Sequence, residues 1–146
     1  MKRFLSKNIS KRKELLNKLL SQSFSTALQT VLEEYDLNKE IIEDEFNISF
    51  RTIERYYYGE TLPEKITLIQ ILIEIGCYFE VSQFILTKAG YILTSEETPY
   101  IIFLEQEGKL SIRDCNEILK AYNKSLGPNE KKLPLFKERK KNNTRL

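Results

Sequence analysis

Residues 37–63, LNKEIIEDEFNISFRTIERYYYGETLP, constrain the fold more than any other part of the chain. Asn38 is a good N-cap, and the segment Lys39 to Phe46 then puts Ile42 and Phe46 on one inward face, with Ile41 beside them. Asn47 suits the left-handed backbone that ends a helix. Ser49 caps a second helix, Phe50 to Tyr57, in which Ile53 and Tyr56 point inward three residues apart. Gly59 ends that helix, and Pro63 closes the loop that follows. Two short helices joined by a tight turn at Phe46-Asn47-Ile48 have the spacing of a helix-turn-helix unit.

The remaining sequence is also helical in pattern. Over residues 9–22, Leu15, Leu16, Leu19 and Leu20 recur at helical spacing, with Lys11, Arg12, Lys13 and Lys18 elsewhere on the turn. Ser25 is expected to cap a helix from Thr26 to Tyr35, with Leu28, Val31, Leu32 and Tyr35 on its apolar face. Glu64 to Ile75 has a broad apolar face, reads as nearly central, and ends at Gly76. A helix over Val81 to Ala89 stops at Gly90. Thr98-Pro99 is expected to open the next one, which runs to Gly108. Ser111 opens the last, with Ile112, Cys115, Ile118, Leu119 and Tyr122 in register, and Gly127-Pro128 closes it. There is no internal repeat and no credible strand pair, and five glycines and four prolines are too few for an all-β chain of this length.

An all-α domain of about seven or eight helices is therefore expected. Its core should contain Leu32, Ile42, Phe46, Ile53, Tyr56, Leu68, Leu72 and Ile75. The chain divides into a basic N-terminal amphipathic helix (1–23), a helix-turn-helix domain (24–91), a helical extension (92–127) and a basic tail (128–146). In the extension, residues 99–126 should form two helices that pack together and onto the helix at 81–89 through Phe84 and Ile85. The tail has one apolar patch, Leu133, Leu135 and Phe136, by which it could dock. Mobility is expected from Lys140 onward.

Composition removes several functions. There is no histidine, hence neither the commonest general base nor the commonest zinc ligand. Cys77 and Cys115 have no CxxC partner, and Cys77 reads as a small buried hydrophobe. No glycine-rich phosphate loop is present. Neither an enzyme nor a metal or cofactor site is expected. No apolar run reaches the roughly 20 residues of a membrane helix, and Phe4-Leu5 is no secretory apolar region, so the chain reads as cytoplasmic and without a membrane partner.

Charge is unevenly distributed. The net charge of +2 sums two basic ends, 1–22 and 131–146, with seven basic groups and one acidic group each, and an acidic middle. From Phe24 to Glu107 there are five Lys and Arg against sixteen Asp and Glu. Such asymmetry points to a charged partner or to self-association.

Leu37-Asn38, Ile42, Phe46, Ile48-Ser49, Thr52-Ile53, Arg55-Tyr56, Gly59, Pro63, Thr67-Leu68 and Ile75-Gly76 together resemble the Cro- and phage-repressor-type helix-turn-helix family, also called XRE. The resemblance covers about 40 residues strictly and about 70 loosely, Ser25 to Tyr91. Ala89-Gly90-Tyr91 and the helices after it look like small XRE-type regulators of low-GC bacteria with a short helical C-terminal extension. The resemblance implies a phage-repressor-like bundle and a sequence-specific transcriptional regulator, from a phage or mobile element, that reads double-stranded DNA with helix 50–57. It implies that Lys39 clamps phosphate, that Ser49 caps the helix and touches phosphate, and that Phe50, Arg51, Thr52 and Arg55 face base edges, with Tyr58 at the end of the same surface. Arg51 and Arg55 suit bidentate pairing with guanine, and Phe50 suits a thymine methyl. An extension of this kind implies either a homodimer or the binding of a partner.

The sequence departs from that family at three places. Glu43 stands where a small residue usually packs under the reading helix, so either its carboxylate reaches solvent or the two helices separate slightly. Glu60 stands where a basic residue often meets phosphate. Tyr57 and Tyr58 replace a polar pair before Gly59. With the acidic body, the Tyr56-Tyr57-Tyr58 run gives an alternative reading: a protein-binding module or inhibitor, such as an antirepressor or nucleic-acid mimic.

Overall fold

The structure is a computed structural model and describes residues 9–139. The expectations placed on residues 1–8 and on Lys140 onward fall outside that range. Among the described residues eight helices follow in order: α1 (Ile9–Leu19), α2 (Phe24–Glu34), α3 (Lys39–Glu45), α4 (Phe50–Tyr57), α5 (Lys65–Ile75), α6 (Phe79–Lys88), α7 (Thr98–Glu105) and α8 (Ile112–Ser125), with one 3-10 turn at Ser95–Glu97. No strand occurs among the described residues. The fold is all-α.

Helix α5 is the axis. Leu68, Ile69, Ile71, Leu72, Ile73 and Ile75 are all buried, which matches a helix apolar on nearly every side. Helices α6, α7 and α8 all pack on it, and α2 packs against α1, α4 and α6. All eight core residues expected from the sequence are buried. They belong to one continuous cluster that runs from Leu15 in α1 to Phe136 in the tail.

Four local expectations need correction. Helix α2 begins two residues early, because the Ser23 hydroxyl accepts the Thr26 N–H and Phe24 enters the core. Helix α6 begins at Phe79, because the Glu107 carboxylate, 28 residues away, accepts the Phe79 N–H at 2.9 Å. Thr98 is not a cap: Thr94 and Glu97 close a capping box around the 3-10 turn, and α7 continues directly from it with Pro99 in its first turn. Asn47 is not left-handed, since only Asp36 and Glu107 among the described non-glycine residues have positive φ. Its backbone N–H and side-chain amide both turn to Glu74 of α5.

The extension also packs differently. Helix α7 rests on α5 and α6, whereas α8 rests on α5, and α5 rather than α7 is its main neighbour. Phe136 fills the space beside them. It is 4% exposed, with its ring 5.4 Å from Tyr100 and 6.2 Å from Phe103 between centroids. The tail runs on in extended form, held by side-chain amides. Asn123 brackets the backbone N–H and C=O of Leu133, Asn116 those of Phe136, and Gln70 those of Lys137. A side-chain amide offers the same donor and acceptor as a peptide unit, so these brackets replace strand pairing. Of the expected apolar patch, Phe136 is buried, Leu133 is half-buried and Leu135 is exposed.

Candidate functional site

Helices α3 and α4 meet across the four-residue turn Phe46 to Ser49. Asn38 and Ser49 cap them as expected, accepting the N–H of Ile41 at 2.9 Å and of Thr52 at 3.2 Å. Ile53 and Tyr56 are buried, and Gln29 of α2 donates to the Tyr57 carbonyl at 2.7 Å. The base of α4 is thus fixed, and its opposite face is left to solvent.

That face carries Arg51, Arg55 and Tyr58. At 3.6 residues per turn the three lie within about 60° of arc. Both arginines are exposed, and Tyr58 is 64% exposed, with its ring 5.0 Å from that of Tyr57. Neither guanidinium has an ion-pair partner among the described residues. Arg12, in contrast, is shared between Glu80 and Glu107.

The other expected site residues separate from this stripe. Lys39 is exposed, with its ammonium 5.8 Å from the Phe50 ring centroid. Phe50 is half-buried and turns back toward Lys39, Ile42 and Tyr57, lining a shallow cleft of ≈ 180 Å³. It therefore does not stand outward beside Arg51. Ser49 and Thr52 engage their hydroxyls with each other at 3.0 Å. The two serve as a cap pair under the stripe.

Glu43 resolves its unusual position in a way local reading did not reach. Its side chain is exposed, and it accepts the N–H of Phe50, the first residue of α4, at 3.1 Å. It is a second cap on α4, contributed by α3. The other oxygen faces Arg139 at 3.5 Å. Arg139 Nη2 also donates to the carbonyls of Glu43 and Phe46, each at 2.7 Å, and its backbone N–H donates to Asn47. Those carbonyls lie at the end of α3, where helical partners run out. Gln70, a polar residue on the buried face of α5, is a sequence signal that could have pointed here: it is 2% exposed and bridges Glu74 and Lys137.

Acidic groups border the stripe. Glu40 and Glu60 are exposed and Glu54 is half-exposed. Helix α1, with its basic face, packs on α2 and α6. There Arg12 lies 4.0 Å over the Tyr78 ring, and Glu107 beside it holds the guanidinium above its usual pKa. A roomier cleft, ≈ 720 Å³, lies elsewhere, between α5, α7 and the tail. Lys65 on its wall is tied to Glu97 at 2.8 Å. No cluster of metal-ligating side chains occurs among the described residues, and no helix there is long and apolar enough to cross a membrane. Comparison with family models, with curated proteins and with solved structures gave no match.

Proposed function

We propose that this chain is a sequence-specific DNA-binding regulator that presents α4 to the major groove. The observation that carries the reading is the pair of exposed, unpartnered arginines, Arg51 and Arg55, one turn apart on a short capped helix behind a tight turn. A guanidinium donates two parallel hydrogen bonds to guanine O6 and N7, and two guanidiniums one turn apart reach neighbouring base pairs. Lys39, beside the start of α3, serves phosphate. Ser49 and Thr52 hold the helix start, Phe50 supports Lys39, and Tyr58 closes the stripe.

Charge sets the affinity. Lys39, the one group assigned to phosphate, gives a salt slope of about −0.9 per subunit, and a two-fold dimer doubles it. With Glu40, Glu54 and Glu60 nearby, one subunit alone binds weakly, and two half-sites are needed for specific affinity. Selection of bound sequences from a random DNA pool at about 100 mM salt, where the Debye length is about 10 Å, tests the reading. In the selected site, Arg51→Ala and Arg55→Ala should each cost about 1–3 kcal/mol and relax one base pair. Unchanged affinity in the folded double mutant would overturn the assignment.

A second reading rests on Tyr58. Its exposed ring beside Tyr57, bordered by Glu54 and Glu60, also suits a basic protein surface. In that case Tyr57→Ala and Tyr58→Ala weaken binding most and the arginine substitutions little.

A further inference from the structure

The sequence presents the tail as a basic segment with one apolar patch by which it could dock, and residues 133–139 follow a defined track. Phe136 is seated beside Tyr100 and Phe103, and successive residues are bracketed from two helices, Phe136 by Asn116 of α8 and Lys137 by Gln70 of α5. Neighbouring residues of an extended chain face opposite ways, so brackets on both sides fix register. A slip of one residue would expel Phe136 from its slot. The fixed register delivers Arg139 to the turn between α3 and α4.

There a single relay runs from the tail to the reading helix. Arg139 holds the Glu43 carbonyl and carboxylate, and the same carboxylate accepts the Phe50 N–H. Asn47 joins from the side: it accepts the Arg139 N–H and donates its own N–H to Glu74, which also takes an amide proton of Gln70. We infer that Arg139 is a positioning residue for α4, acting through Glu43, and that the tail thereby sets the competence of the reading surface. Two effects combine. Arg139 fixes the Glu43 carboxylate as a cap on α4, and it balances a negative charge that otherwise faces an incoming phosphate at the helix N-terminus. The inference rests on the DNA reading only for its second effect.

The test uses the full chain with Arg139→Ala, Glu43→Gln and the double variant. Affinity for the selected DNA site should fall about tenfold in Arg139→Ala, the size of one charge-assisted hydrogen bond. Adding Glu43→Gln to that background should bring affinity back to within about threefold of the starting protein, because glutamine still accepts the Phe50 N–H and carries no charge. Glu43→Gln in the parent should change affinity by less than about threefold, so an equal gain in both backgrounds, or a loss unrelieved by Glu43→Gln, overturns the charge balance between the two residues. So does an Arg139→Ala protein that binds as the parent does. Amide hydrogen exchange supplies a readout without DNA. Phe50 should exchange about tenfold faster in Arg139→Ala, with the α5 amides from Leu68 to Ile75 unchanged. If the intact chain selects no DNA sequence, the DNA reading fails and the Phe50 exchange rate alone decides the inference: faster exchange upholds it, an unchanged rate sinks it.

Discussion

At the residue scale, burial decides what the chain's few reactive groups do. Cys77 and Cys115 are both buried and free, and burial pushes each thiol up to about 12. A thiol near 8.5 in the unfolded chain is therefore harder to ionise in the fold. Stability linked to the two thiols is fully present below about pH 8.5 and is lost as pH rises toward 12. Tyr35 and Tyr100, also raised by burial, add to the same alkaline loss. A thiol reagent at pH 8 should leave both cysteines unmodified in the folded protein and label two in denaturant. Rapid labelling of either in the folded chain would contradict their burial. Single residues were legible where their partners are local. Asn38, Ser49 and Ser111 cap as expected because each meets a backbone N–H three residues on. Glu43 was not legible, because its partner Arg139 lies 96 residues away.

At the scale of elements, helix type followed from apolar spacing, and helix starts failed where local caps compete, Ser23 with Ser25 and Thr94 with Thr98, or where a distant group supplies the cap. Glu107 starts α6 from another loop, and no window around Phe79 contains that information. Helix α1 illustrates the same split. Its four leucines and its basic face were evident, but which use the charges would have was not. Leu15 and Leu19 are buried, Arg12 bridges Glu80 and Glu107, Lys18 meets Glu34, and Lys88 of α6 donates to the carbonyls of Leu20 and Gln22 just after the helix. The described part of the helix is a staple on the acidic body. Arg12→Ala should therefore lower stability by about 1–2 kcal/mol, after allowing for the partial exposure of its partners, and Arg12→Lys should recover little because a lysine cannot serve both carboxylates and the Tyr78 ring. Lys13→Ala, with no ion pair on the described surface, should stay within about 0.5 kcal/mol. Equal thermal shifts for the two alanine variants would refute the staple.

At the scale of the whole molecule, the helix-turn-helix unit and the extension meet through backbone as well as side chains. Gly76 ends α5 at φ +74°, and a Cβ there would come within 3.0 Å of Gly108 Cα. That approach brings Glu107 to α6 and α1, so loop, extension and N-terminal helix share one set of contacts. The segments 24–91 and 92–127 were separable as patterns of sequence, but their apolar residues join one core. Periodicity tells which face of a helix is buried, and it does not tell which neighbour buries it. The tail is the sharpest case: Leu133 and Phe136 were visible as an apolar patch, but the groove that receives them is assembled from α5, α7 and α8. If the core is one unit, unfolding should be a single transition across it. Phe136→Ala removes a ring from the C-terminal edge of that unit and should cost about 3 kcal/mol, as for other buried aromatic truncations. The chain has no tryptophan and eight tyrosines, so tyrosine fluorescence and far-UV circular dichroism can be followed together in urea. Both probes should move to the same lower midpoint in Phe136→Ala. An early fluorescence change from the region of Tyr100, with helix content lost only later, would show instead that the extension and tail unfold apart from helices α2 to α5, and the coupling of the tail to α4 would then have no rigid body to act through.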